Sequence, residues 1–217
     1  AGMPPAPAPV VRDAMGSRVK KGLLRAEPGP AGQSRFMMLE TVREFAREQL
    51  AASGEDVPLS AAHAIYYLEF TSQFRHVLFD TEGPRLLARL NEERANLRAV
   101  VLWLRAHNDR VGMLRLTSLP VPLWRTIGQL AESREWMEWA VARPFPDHEI
   151  PHARALTELG ILLHLQGEEE RAKALVEEGI ARLRAGGLRG DLFPALSYLG
   201  LILLRLSDFS RANALQL

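Results

Sequence analysis

The C-terminal part of the chain repeats itself at an interval of 40 residues, and this repeat constrains the fold more than any other feature. The matched positions are Ala155, Leu156, Leu159, Gly160, Leu163, Arg171, Ala172, Ala174 and Leu175, which recur as Ala195, Leu196, Leu199, Gly200, Leu203, Arg211, Ala212, Ala214 and Leu215. The leucines recur at helical spacing, and the small residues at 160 and 172 would let two antiparallel helices approach closely. The sequence therefore predicts helix pairs that stack into an array with a concave surface for ligands.

The pattern of this repeat resembles the tetratricopeptide repeat. Leu156-x2-Leu159-Gly160-x2-Leu163 is followed by Ala172, twelve residues after the glycine. The usual tetratricopeptide interval is about 34 residues, so we expect lengthened helices or loops here. The stretch 128–136 looks like a degenerate earlier unit. The last unit is incomplete, and we expect further repeats or a symmetry mate to cover its apolar face; generic helical hairpins are the alternative.

The N-terminal part reads as a helix, a hairpin and a second helix. Two short apolar runs, LLRAE and RFMML, flank the turn-rich stretch PGPAGQS and predict a β-hairpin. Thr41 and Glu44 have the capping-box spacing for the start of the second helix. Helix, hairpin and helix together are typical of the later part of a winged-helix unit.

Further helices are predicted up to the repeat, which gives a mainly α fold: a partial winged-helix unit followed by an antiparallel helix-pair superhelix. Ser60 is the predicted N-cap of a helix that runs to about Phe79, and leucines from Leu86 onward predict one long helix that ends near His107. The predicted domains are a linker or tag remnant (1–9), a partial winged-helix unit (10–52), a helical connector with a degenerate repeat (53–150) and truncated tetratricopeptide-like repeats (151–217).

Composition excludes several classes of function. Lys and Arg total 27 and Asp and Glu total 26, so a formal charge of +1 creates no global field for nucleic acid. The absence of cysteine excludes disulfides and thiolate sites and fits the cytoplasm. No apolar run approaches the roughly 20 residues that span a bilayer, so we expect no membrane partner. Neither a GxxxxGK[ST] phosphate loop nor a nucleophile elbow is present. We therefore expect no enzyme and no catalytic, cofactor-binding or metal-binding residue.

The stretch Arg35–Ala46, RFMMLETVREFA, resembles a segment of bacterial signal-transduction ATPases with numerous domains, the STAND or NB-ARC-like transcriptional regulators. Weaker similarities at 17–24, 63–68, 90–99 and 132–137 follow in the order usual for that family. The resemblance implies that ATP or ADP on a separate module of the parent protein holds a switch closed, and that an inducer sensed by the helical repeats opens it. Some of those relatives have Met-His-Asp where this chain has Met38-Leu39-Glu40, and their histidine can contact the nucleotide. Because a leucine cannot donate that hydrogen bond, we expect Leu39 to lie in the core.

These features predict a non-catalytic sensor segment. We expect a protein or small-molecule inducer, other domains of the parent protein and a possible homo-oligomer as partners. The alternative is a DNA-binding winged-helix protein with a helical dimerisation tail, whose DNA-binding residues would be Arg12, Arg18, Lys20 and Lys21. We favour a solvated basic face for these four residues and expect no direct DNA binding by this chain.

Three other groups of residues have both a functional and a structural interpretation, and we favour the structural one for each. His148 and His152 have metal-ligand spacing, but Pro151 interrupts a regular helix between them. Three tryptophans could line a ligand pocket, although packing between helices is the commoner role for aromatic residues at such spacings: Trp124, Trp136 and Trp139. The acidic run 168–170 is predicted to be a solvated helix start.

Overall fold

The computed structural model describes residues 8–28, 34–73, 83–119, 121–122, 124 and 130–215. Helices dominate these residues and the strands form one two-stranded sheet, which confirms a mainly α fold. The chain divides into two compact units, Ala1–Leu59 and Ser60–Leu217. Within the described residues, no helix combines the length and apolar character needed to cross a bilayer.

The first unit contains the predicted helix–hairpin–helix arrangement. Its elements are α1 Ala8–Lys20, β1 Leu24–Pro28, β2 Ser34–Met38 and α2 Glu40–Ser53. Gly22 takes a φ of 71° after α1, and the Leu23 amide donates back to the Arg18 carbonyl at 3.0 Å. This glycine-based stop redirects the chain into β1. The strands pair antiparallel, with Leu24 opposite Met38, and confirm the predicted hairpin.

Two predictions about the start of α2 are wrong. The helix begins at Glu40 with Leu39 as its N-cap residue, so Thr41 already lies inside it and no capping box forms. Because β2 ends at Met38, only one residue is left for the turn between strand and helix. Glu40 lies in the first helical turn, where its negative charge suits the helix dipole. The Leu39 side chain is 42% exposed and is not part of the core.

Later helices follow in close succession. They are α3 Asp56–Ser72, α4 Gly83–Glu92, α5 Arg94–Ala106, α6 Arg110–Thr117, α7 Leu130–Val141, α8 Glu149–Leu165, α9 Glu169–Ala185, α10 Arg189–Arg205 and α11 Phe209–Ala214, with a short 3-10 helix at Pro146–His148 before α8. Most of the buried apolar residues of the second unit form one continuous core that includes the paired Trp124 and Trp136.

Two predicted boundaries in this region are wrong. Ser60 is not an N-cap, because α3 already begins at Asp56; the predicted end near Phe79 lies outside the described residues. The predicted long helix is divided into α4 and α5 at Glu93. The Glu93 carboxylate accepts hydrogen bonds from the Tyr67 hydroxyl at 2.5 Å and from the Asn96 amide at 2.6 Å. These contacts hold Glu93 at the break, and the predicted end near His107 is confirmed by the end of α5.

The sequence repeat coincides with a repeat of helices. Both α8 and α10 have 17 residues, and α8 to α11 begin at positions 149, 169, 189 and 209, so each helix recurs after 40 residues. The turns after α8, α9 and α10 each contain one residue with a left-handed backbone. These are Gly167, Gly187 and Ser207. We refer to α8–α9 and α10–α11 as the first and second helix pairs.

Small residues bring the two helices of the first pair together, as predicted. A Cβ on Gly160 would lie only 2.9 Å from the Ala172 carbonyl oxygen, and one on Gly179 would lie 2.8 Å from the Ala153 carbonyl oxygen. Gly160, late in α8, faces Ala172 near the start of α9, whereas Ala153, early in α8, faces Gly179 further along α9. The two helices therefore run antiparallel. Gly200, the counterpart of Gly160, has nothing within 4 Å of an added Cβ, so the close approach is not repeated there.

Candidate functional site

A groove of about 330 Å³ lies between α8 and α10, the first helices of the two pairs. Both helices contribute one face, and α9 and the end of α6 contribute single residues. The groove is lined by Ser118, Arg154, Thr157, Glu158, Ile161, Leu183, Gly190, Asp191, Phe193, Pro194, Ala195, Ser197 and Tyr198. Its position between successive helix pairs is where a stacked array offers a ligand site.

An ion pair spans the groove. The Nε and Nη2 groups of Arg154 donate to the same oxygen of Asp191, Oδ2, at 3.0 Å and 2.6 Å. The two side chains are only 21% and 15% exposed. Arg154 belongs to α8 and Asp191 to the first turn of α10, where a carboxylate also suits the helix dipole. The ion pair therefore joins the two helix pairs at the groove.

Tyr198 and Glu158 form a second polar region of the lining. Burial, together with the negative charge of Glu158, raises the pKa of the Tyr198 hydroxyl above its usual value of 10.0. The hydroxyl is therefore protonated at neutral pH and can both donate and accept a hydrogen bond. Glu158 accepts a hydrogen bond from the Val121 amide at 2.9 Å, which ties the segment after α6 to α8.

The rest of the lining is apolar. Ile161 and Leu183 are buried, whereas Phe193 is 78% exposed. Pro194 lies inside α10 and has no amide hydrogen, so the Gly190 carbonyl cannot receive the usual hydrogen bond from position 194. The groove thus combines an apolar wall, an aromatic ring exposed to solvent and a few placed polar groups, the composition of a small-ligand site.

The residues predicted as possible DNA contacts lie in the first unit. Arg18, Lys20 and Lys21 are exposed at the C-terminal end of α1, and the side chain of Arg12 is outside the described residues. The Arg18 guanidinium donates to the Ala14 carbonyl of its own helix at 3.1 Å. These cations suit the negative end of the helix dipole and are also accessible to a phosphate. DNA binding by them stays a prediction.

The structure assigns packing roles to the histidine and tryptophan candidates. His152 is buried in α8, where its Nε2 donates to the Val141 carbonyl and its Nδ1 accepts from Arg182. His148 precedes that helix. In the described part of the chain no cluster of three potential metal ligands occurs. Trp124 and Trp136 are buried and pack edge to face at 6.2 Å, as predicted.

The acidic run at the start of α9 is only partly solvated, so that prediction is wrong for two of its three residues. Glu168 accepts hydrogen bonds from Arg134 and Arg171, and Glu169 accepts one from Arg205 at 3.2 Å. Hydrogen bonds from Arg134 and then Arg171 hold the pKa of Glu168 below its usual value. These carboxylates connect α9 to α7 and α10.

Sequence reasoning missed the residues that form the groove, above all Arg154 and Asp191. They are 37 positions apart and occupy different places in the repeat, since the counterpart of Arg154 is Pro194. The available signal was the repeat itself, because successive first helices of a stacked array face one another. Charged residues of opposite sign on these two helices were therefore candidates for pairing.

Comparison with known proteins finds a partial similarity to bacterial proteins named as transcription regulators. Proteins of Mycobacterium tuberculosis and Mycobacterium bovis that carry the provisional name HTH-type transcriptional regulator are 35% identical to this chain over 105 residues. The match covers 48% of this chain but only 12% of each relative. No protein-family model and no solved structure matches the sequence.

Proposed function

We propose that this chain is a non-catalytic regulatory segment of a transcription regulator, and that it binds an inducer in the groove between its helix pairs. The observation that carries this proposal is the groove itself, with its apolar wall and its ion pair across α8 and α10. The similarity to proteins named as transcriptional regulators supports the biological context. The inducer is a protein or a small molecule that the tetratricopeptide-like repeats receive.

Binding in this groove would change the relative populations of two arrangements of the helix pairs. A ligand that touches both α8 and α10 stabilises the arrangement in which both walls fit it, and it can shift an equilibrium only by that difference in affinity. Following the STAND-like stretch Arg35–Ala46, we further propose that this shift acts on an ATP- or ADP-dependent switch outside this chain.

Chromosomal Ser197→Trp tests the sensor role in cells. Ser197 is exposed and lines the groove, so tryptophan would fill the groove without disturbing the core. Ala181→Trp, on an exposed position of α9 outside the groove, is the matched control. We expect RNA sequencing to show that Ser197→Trp abolishes induction of the genes that a deletion of the regulator affects, while Ala181→Trp leaves induction intact.

Two results would contradict this proposal. If Ser197→Trp responds like the wild type while the deletion strain does not, the groove is not the sensor. If the deletion changes no transcript, the chain does not belong to a transcription regulator.

A second candidate function is DNA binding through the first unit. The exposed Arg18, Lys20 and Lys21 favour it, as does the HTH in the relatives' names. If this candidate is correct, a duplex should bind with an affinity that falls steeply with salt, and Lys20→Ala with Lys21→Ala should reduce the salt slope by about two. We expect no such binding, and fluorescence anisotropy with labelled duplex DNA measures it directly.

A further inference from the structure

The ion pair across the groove engages two of the three guanidinium nitrogens of Arg154 and one of the two carboxylate oxygens of Asp191. Both hydrogen bonds from Arg154 reach Oδ2 of Asp191. In the part of the chain that the structure describes, Nη1 of Arg154 and Oδ1 of Asp191 have no partner. Both residues line the groove and are mostly buried. Because both residues line the groove, a ligand can reach these two atoms and provide the missing hydrogen bonds.

The charges of the two residues offset each other, which selects against charged ligands. A carboxylate placed at Arg154 would also lie near the negative Asp191, and an ammonium placed at Asp191 would lie near the positive Arg154. Such repulsion is weakly screened at partly buried sites. A neutral group with an acceptor and a donor side by side satisfies both residues: an amide carbonyl accepts from Nη1 of Arg154, and an amide N–H donates to Oδ1 of Asp191.

Size and the remaining lining restrict the ligand further. A volume of about 330 Å³ is at the lower end of the range for small-molecule sites. Ile161 and Leu183 are buried on the wall, and Phe193 presents an exposed ring. These residues suit an apolar or aromatic body of modest size attached to the polar group.

We propose that the groove binds a small neutral molecule in which an amide-type group adjoins an apolar body. Arg154 and Asp191 form hydrogen bonds with the amide and so select it. This inference rests on the proposed function, because it specifies the ligand of the same groove.

Four probes that share a phenyl group and a short chain test this chemistry. They are 3-phenylpropanamide, 3-phenylpropanoate, 3-phenylpropylammonium and 4-phenylbutan-2-one. Calorimetric titration of the 217-residue chain should show the amide binding with a Kd of about 1 mM, as expected for a ligand of this size. We expect each of the other three probes to bind at least about fivefold more weakly, because each lacks a required group or carries an opposed charge.

Substitutions of the ion pair should switch this preference. Asp191→Asn removes the negative charge and should increase the affinity for 3-phenylpropanoate at least about tenfold, because Arg154 is then no longer neutralised. Arg154→Gln should do the same for 3-phenylpropylammonium. Ser197→Trp should abolish binding of every probe, whereas Ala181→Trp should bind like the wild type. Circular dichroism establishes that each variant is folded.

The outcomes separate this inference from the proposed function. If a charged probe binds the wild type more tightly than the amide and Ser197→Trp abolishes that binding, the amide assignment is overturned while the groove remains a ligand site. If the Asp191→Asn and Arg154→Gln variants fold but still bind the amide more tightly than the charged probes, the ion pair does not determine which ligand binds. The inference then also fails. If no probe binds at 20 mM, or if binding survives Ser197→Trp, the inference is overturned, whereas the role of the groove is decided by the effect of Ser197→Trp on induction in cells.

Discussion

Gly160 and Gly179 lie where α8 and α9 come closest, and in each case the nearest atoms include a backbone carbonyl oxygen of the other helix. A backbone atom cannot rotate away as a flexible side chain can. The two glycines therefore set the distance between the helices, and any larger residue must push the helices apart.

Gly160→Ala should destabilise the chain by about 1–3 kcal/mol, because the added methyl group would lie 2.9 Å from the Ala172 oxygen. Gly200→Ala is the matched control. It occupies the same place in the second pair but meets nothing within 4 Å, so it should stabilise α10 by about 0.5–1 kcal/mol. Denaturant unfolding measures both effects. Equal effects of the two substitutions would contradict the close approach at Gly160, and Gly160→Leu should be more disruptive still.

Ser207 occupies a left-handed turn position with a φ of 61°, where the preceding pair has Gly167 with a φ of 84°. This conformation costs a serine about 1–2 kcal/mol and costs glycine nothing. Ser207→Gly should therefore raise the free energy of unfolding by about 0.5–1 kcal/mol, after the greater flexibility of glycine in the unfolded chain is included. The converse substitution, Gly167→Ser, should lower it. A loss of stability in Ser207→Gly would show that the turn is not strained.

Ion pairs between helices act at the scale of the element. Arg98 and Arg105 of α5 pair with Glu132 and Glu135 of α7, and Arg134 of α7 pairs with Glu168 at the start of α9. Each pair is partly exposed, so each contributes modestly to stability. Their geometry nevertheless specifies which helix faces which.

Glu168 gives these contacts a pH dependence. Its pKa is lowered from 4.5 by hydrogen bonds from Arg134 and Arg171. The folded state therefore favours the carboxylate, and this contribution is fully present above pH 4.5 and is lost as the pH falls through the lowered folded-state pKa. The Tm difference between the wild type and Glu168→Gln should be largest at neutral pH and should disappear in acid. Glu170→Gln is the matched control, because it removes a carboxylate from the same acidic run, at a side chain that is 77% exposed, without breaking the contacts of Glu168 with Arg134 and Arg171. A pH-independent difference for Glu168→Gln would contradict this role.

Local chemistry explains which elements could be predicted. The hairpin follows from two apolar runs around a Gly- and Pro-rich turn, and the repeat helices follow from apolar spacing, so both were found from the sequence. The break at Glu93 depends on a hydrogen bond from Tyr67, which is 26 positions away, and no local pattern reports it. Arg154 and Asp191 were missed for the same reason, because their pairing depends on how α8 and α10 stack. The exposure of Leu39 was missed because periodicity predicts a face of the helix but not what covers it.

At the scale of the second unit, the second helix pair exposes several large apolar side chains, one of them at a position that is buried in the first pair. Ile161 of α8 is 3% exposed, whereas its counterpart Leu201 of α10 is 50% exposed, and Leu204 and Phe209 are also exposed. In the first pair the equivalent surface is covered by the next pair. The second pair therefore presents an apolar surface that is suited to another helical element.

This surface should make the chain self-associate as its concentration rises. Leu201→Lys combined with Leu204→Lys places two like charges on the surface and should shift the protein towards the monomer in sedimentation velocity experiments. Because both residues are exposed, the melting temperature of the monomer should change little. A wild-type chain that stays monomeric at millimolar concentration would contradict this expectation.

The groove lies between helix pairs and not within one, and this has an evolutionary consequence. An in-frame tandem duplication of 40 residues would add one more helix pair and, with it, one more cleft. The new cleft would not inherit the same chemistry, since Pro194 stands where α8 has Arg154 and Pro151 stands where α10 has Asp191. Proteins of this kind can therefore acquire new ligand specificities by lengthening the array, while the original groove keeps its residues and its ligand.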